Sequence, residues 1–119
     1  MQALNKWERR DFALGDADCC QFVAFIVEEL TGNRWGAEYR YETQPEADRI
    51  IAENDGMAGL ISKYLGEATQ PEKDGDPCLI ELPIIGQLMG IKLGNQVVCL
   101  CTSGLVRVAE RHIKLGWVI

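Results

Sequence analysis

The residues that could do chemistry gather in one short run, Gly15-Asp16-Ala17-Asp18-Cys19-Cys20-Gln21-Phe22-Val23. Cys19 stands directly before an amphipathic stretch reading Phe22, Val23, Phe25, Ile26 and Leu30, which places its thiol at a helix start. Unpaired backbone N–H groups and the helix dipole there favour the thiolate, the form that attacks electrophiles. A working thiol nucleophile also needs a base within hydrogen-bond reach and a third polar group to orient that base. His112 is the single histidine. It lies between Arg111 and Ile113, in a loop or the approach to the last strand, and its simpler reading is a surface side chain. Asp16 is a second conceivable base, with turn former or cap as its simpler role. Asp18 reads as the N-cap of the helix rather than as a participant in chemistry. Two carboxylates so close oppose the dipole, so the sequence predicts a Cys19 thiol that is mostly protonated at neutral pH.

The other thiols fit no metal or disulfide pattern. There are five cysteines, with no CxxC and no histidine at ligand spacing. Free thiols in a reducing compartment are expected, with no metal and no cofactor. Cys99 and Cys101 alternate with Val98, Leu100 and Thr102, which puts them on one face of a strand. One of Cys19 and Cys20 is expected to face the core and the other a cleft.

These residues must be positioned by helices followed by strands. Leu4, Trp7, Glu8 and Phe12 suggest a first helix ended by Gly15. A second runs over Cys19–Thr31 and stops at Gly32-Asn33. Residues 33–45, with Trp35, Tyr39 and Tyr41, read as an ordered loop. Pro45-Glu46-Ala47-Asp48 opens a third helix closed by Asp55-Gly56, and Ala58–Leu65 forms a fourth. After the turn at Asp74-Gly75-Asp76-Pro77 come five strands: Cys78–Leu82, Leu88–Leu93, Gln96–Thr102, Leu105–Val108 and Leu115–Ile119. Gly94-Asn95 and Ser103-Gly104 mark tight turns. Helices first and a local antiparallel meander second make an α+β fold.

The bulk numbers set the limits. A chain of 119 residues that is 47% hydrophobic builds one core, so residues 1–119 form a single domain. A net charge of −6 argues against nucleic acid as partner. Arg9-Arg10 beside Glu8 and Asp11 reads as a solvated face. No stretch is long enough to span a bilayer, and the N-terminus lacks the apolar run of a signal peptide, so synthesis and folding in a cytoplasm are expected. Trp7 and Trp117 are expected in the core, and Trp35 or Tyr39 at an interface. The apolar run Leu82-Pro83-Ile84-Ile85-Gly86 reads equally as a contact surface or a buried crossover. The scattered acidic residues from Glu42 to Asp76 read as solubility charge.

Three motifs in order resemble the NlpC-type papain-like peptidases, which cleave peptidoglycan stem peptides. Asp18-Cys19-Cys20-Gln21-Phe22-Val23 resembles their Asp-Cys-Ser-Gly-Phe-Val nucleophile motif. Gly75-Asp76-Pro77-Cys78-Leu79 resembles the Gly-Asp-Leu-Val-Phe that opens their sheet. Leu88-Met89-Gly90-Ile91-Lys92-Leu93-Gly94-Asn95 resembles their His-Val-Gly-Ile-Tyr-Leu-Gly-Asn strand and turn. Over nearly its full length the chain also resembles small phage proteins found among tail genes, through Trp7-Glu8, the Gly-x-Ala-Asp-Cys-Cys run from Gly15 to Cys20, Gly104-Leu105-Val106 and Trp117.

The first resemblance implies a papain-like fold, N-terminal helices packed on a C-terminal antiparallel sheet, with Cys19 at the nucleophile position. It also implies that the base should stand at residue 88 and the orienting group near residue 100. Both are leucine. Taken with the phage resemblance, this implies a structural tail protein of the tail tip or baseplate hub, a pseudoenzyme in the virion made in the bacterial host cytoplasm. Its expected partners are other tail proteins, with no nucleic acid and no membrane insertion, and with room for peptidoglycan contact. The alternative is an active cell-wall peptidase or amidase using Cys19 with a recruited base such as His112.

Overall fold

The computed structural model describes residues 4, 7, 11–14, 18–35 and 39–119. Most of the expected first helix, with Glu8, Arg9-Arg10, Gly15 and Asp16, lies outside them. Leu4 and Trp7 are described, and both are buried.

Three helices precede the sheet among the described residues. α1 spans Cys19–Thr31. Asp18 caps it, its Oδ1 accepting from the Gln21 N–H at 2.9 Å. Gly32 ends it at φ 81°, a left-handed turn that suits glycine. Phe22, Val23, Ile26 and Val27 recur at helical spacing and are all buried, which turns one face of α1 onto the sheet. α2, Gln44–Glu53, opens with Thr43 accepting from the Glu46 N–H at 3.3 Å while the Glu46 carboxylate accepts from the Glu42 N–H at 3.4 Å and the Thr43 hydroxyl at 2.9 Å. α3, Gly56–Leu65, buries Met57, Leu60 and Ile61.

The strands are β1 (Pro77–Leu82), β2 (Gly86–Leu93), β3 (Gln96–Cys101), β4 (Gly104–Ala109) and β5 (Ile113–Gly116). They form one antiparallel sheet in the order β4-β3-β2-β1-β5. The first four strands make the expected meander. β5 does not continue it: the strand sits on the far edge, against β1, and starts two residues earlier than the expected Leu115–Ile119.

That placement dictates the curvature of the sheet. Flat, its two edges would stand about 19 Å apart at ~4.8 Å per strand. Only the single 3₁₀ turn Glu110–His112 joins β4 to β5. Four residue steps reach about 14 Å even when extended, and less in a 3₁₀ turn. The sheet therefore curls until its edges approach. Its inner face closes a second small core from Cys78, Ile80, Val97 and Cys99, with Leu88, Val106, Val108 and Ile113 packed on it from the other strands. The outer face, with Leu79, Met89, Ile91, Val98 and Leu100, packs with α1 and with Trp7, Trp35 and Trp117.

Two features of the sheet bear on the site. The β2–β3 ladder runs only from Leu93↔Gln96 to Ile91↔Val98. Beyond it β2 stays with β1, β3 stays with β4, and the two strands part. Gly90 stands at the parting. The run between β1 and β2 is an exposed hairpin tip rather than a buried crossover, with Ile84 and Ile85 in solvent. Ile84 holds φ 71°, a strained conformation for a β-branched residue.

Candidate functional site

The parting of β2 from β3 opens a cavity of about 480 Å³ over the start of α1. Asp18, Cys19 and Cys20 form its α1 side. Gln87 and Leu88 come from β2, and Leu100, Cys101 and Thr102 from the end of β3 and its turn. The remaining wall is mostly apolar and aromatic, with Trp35, Tyr39, Tyr41, Ile50, Ile51 and Met57 among it.

Cys19 is half-buried at this junction. Its thiol is held below the ordinary value. The largest cause is the Cys20 thiol, which donates a hydrogen bond to the Cys19 sulfur. Burial pushes the other way, the Met89 backbone N–H lowers the value again, and the Asp18 charge raises it. The Met89 amide can reach the sulfur because β3 has left that side of β2. Cys20 is raised well above its ordinary value by the same hydrogen bond, by burial and by the charges of Cys19 and Asp18. Its Sγ also lies 3.6 Å from the Met57 Sδ. Thus Cys20 keeps its proton, for which the Cys19 and Met57 sulfurs are both acceptors. Both thiols line the cavity, where the sequence suggested that one would turn to the core.

Asp18 is buried and does more than cap. Its Oδ2 accepts from the Tyr41 hydroxyl at 2.6 Å, which ties the irregular segment before α2 to the start of α1. Burial, the Asp18 hydrogen bond and the nearby negative charge push the Tyr41 phenol far above its ordinary range, so it remains a neutral donor.

The expected catalytic positions are brought together, but without polar groups. Leu88 and Leu100 both line the cavity with Cys19. Neither can take a proton or orient an imidazole. His112 sits in the 3₁₀ turn between β4 and β5, and the described residues lining the cavity do not include it. Asp16 lies outside the described residues. The other thiols are quiet: burial pushes Cys78 up to about 12 and raises Cys99 and Cys101. Cys99 and Cys101 share the inner face of β3 as expected, their sulfurs 3.9 Å apart. Among the described residues no group of three or more His, Cys, Asp or Glu is placed to hold a metal ion, and no helix is long and apolar enough to cross a membrane.

Trp7 and Trp117 are core residues, as expected. Trp35 corrects the expectation of an interface. It is only 9% exposed and stacks on Tyr64 with ring centroids 5.6 Å apart, since α3 offers an aromatic surface that the local sequence does not reveal. Sequence reasoning also missed the Cys20 donor, although the Cys-Cys pair was visible, and the Asp18–Tyr41 bond, whose partners lie 23 residues apart.

A family model described as a domain of unknown function matches residues 1–119. No curated protein matches the chain.

Proposed function

The chain belongs to the DUF6950 family, a domain of unknown function, and from that premise we propose that it is a structural phage tail protein, a component of the tail tip or baseplate hub with an inactive cysteine-peptidase-like domain. One observation carries the reading. Leu88 and Leu100 line the same cavity as Cys19, and they stand where the NlpC-type pattern requires a base and its orienting group. A papain-like fold is part of the proposal. Its support is a thiol at the start of a helix that packs on an antiparallel sheet, with residue 88 on the second strand. The partners proposed are other tail proteins. The exposed Ile84-Ile85 tip offers them an apolar contact surface.

Quantitative mass spectrometry of purified virions tests the reading. It predicts this chain in the particle at a small fixed copy number relative to the major tail protein. Its absence from infectious particles would contradict a structural role. A second reading, an active cell-wall peptidase or amidase, is favoured by the lowered Cys19 thiol alone. His112 as its recruited base gains no support from a position away from the cavity.

A further inference from the structure

The leucines at 88 and 100 bar one reaction class without barring another. An amide expels an amine, which departs only when a general acid hands it a proton. The cavity holds no imidazole for that step. A thioester expels a thiolate, whose conjugate acid has a pKa of about 8.5, and it departs near neutral pH with no proton donor. The same missing base has a second consequence. An acyl group transferred to Cys19 would meet no imidazole among the described residues lining the cavity to activate water, so it would stay.

We propose that Cys19 is an acyl-acceptor site, at which a neutral fatty-acyl thioester transfers its acyl group to the protein while the chain lies in the cavity. The Cys19 thiolate attacks the thioester carbonyl. A carbon–sulfur bond forms to Cys19 Sγ, and the donor's carbon–sulfur bond breaks. The electron pair leaves with the donor sulfur, which takes a proton from water. No oxidant or reductant is consumed.

Several independent features point to this ligand. The cavity walls are largely apolar, with Leu60, Leu88, Leu100, Ile50 and Ile51, and the volume is that of a small-molecule site. The charged side chains lining the cavity are Asp18 and Asp48, which disfavour an anionic carrier. Trp35 also walls the cavity, and its indole N–H is buried with no hydrogen-bond partner among the described residues. The Cys20 thiol and the Met89 amide lower the Cys19 thiol from its ordinary value.

The test uses the S-octanoyl and S-acetyl thioesters of N-acetylcysteamine, uncharged donors that differ in chain length, with the purified full chain at neutral pH. Intact mass and peptide mapping should show one octanoyl group on Cys19, removable by hydroxylamine. It should form at least about tenfold faster than the acetyl adduct, because the added methylenes enter the apolar cavity. Cys19→Ser should lose that adduct. Ala47→Leu, which fills the cavity from α2, should slow octanoylation severalfold and leave iodoacetamide alkylation of Cys19 unchanged. The proposal is overturned if Cys19 remains unmodified, if octanoyl and acetyl donors react alike, if the label spreads evenly over the five cysteines, or if the adduct hydrolyses as fast as it forms. Virion composition does not bear on any of these results, so this inference and the tail reading stand or fall separately.

Discussion

Substituting Gly90 by alanine tests how the sheet makes the site. A Cβ added at residue 90 would lie 2.5 Å from Val97 Cγ1, 2.9 Å from the Val98 carbonyl oxygen and 3.3 Å from Cys99 Cβ. All three belong to β3. Val97 and Cys99 are fully buried, and the Val98 oxygen is main chain, so no flexible tip can swing aside. Relief requires β3 to back away from β2 at Ile91↔Val98, the last pair of their short ladder. Overpacking a close-packed interior costs about 1–3 kcal/mol, and a backbone clash belongs in the upper half of that range, about 2–3 kcal/mol. With a urea m-value of about 1.5–2 kcal/mol/M, the unfolding midpoint of Gly90→Ala should fall by about 1–2 M. Gly104→Ala is the control. It meets nothing within 4 Å and suffers only the backbone strain of φ 102°, roughly 1 kcal/mol. Urea unfolding followed by tryptophan fluorescence reads both. A Gly90→Ala midpoint within about 0.3 M of the parent, or no lower than that of Gly104→Ala, would refute the close approach of β2 and β3.

Further outcomes follow from the charged and thiol groups. Asp76 is buried at the head of β1. Burial works against its charge, yet the amides of Glu72, Lys73 and Ile119 and the Lys73 ammonium hold its carboxyl below the ordinary value. Because the folded pKa is depressed, this stabilisation is present above the unfolded value of about 3.9 and is lost as pH falls through the folded one. Asp76→Asn should therefore cost about 1–3 kcal/mol at pH 7, with the gap to the parent closing below about pH 4 in acid titrations. Cys20→Ala removes the strongest donor to Cys19, so iodoacetamide alkylation of Cys19 should slow at neutral pH and its pH midpoint should rise; an unchanged profile would remove Cys20 from the site. His112→Ala should leave that alkylation profile unaltered, and a clear change would bring the histidine back into consideration.

Local signals carried much of this fold. The N-cap Asp18, the apolar face of α1 and the stop at Gly32 are written in adjacent residues, and the Cys19–Thr31 helix is where the sequence places it. The hairpin turns at Gly94 and Gly104 mark the strands for the same reason. What local pattern could not show is pairing across distance. Nothing near Ile113 says that β5 crosses to β1, since that follows from closure of the curled sheet. The site was legible in its residues and less so in its electrostatics. Leu88 and Leu100 could be read as the residues at the base and orienting positions, but not that they reach one cavity from opposite faces of the sheet, and the direction of the Cys19 shift depended on the Cys20 thiol and the Met89 amide. Trp35 was misread because its covering partner, Tyr64, lies on a helix 29 residues away.

The central claim is that this cavity presents the Cys19 thiol with no imidazole among its described lining residues to drive amide cleavage. Digestion of purified muropeptides by the full chain, beside Cys19→Ala and read by liquid chromatography with mass spectrometry, tests it most directly. The account predicts no cleavage products from either protein. Stem-peptide fragments released by the parent chain and not by Cys19→Ala would contradict it.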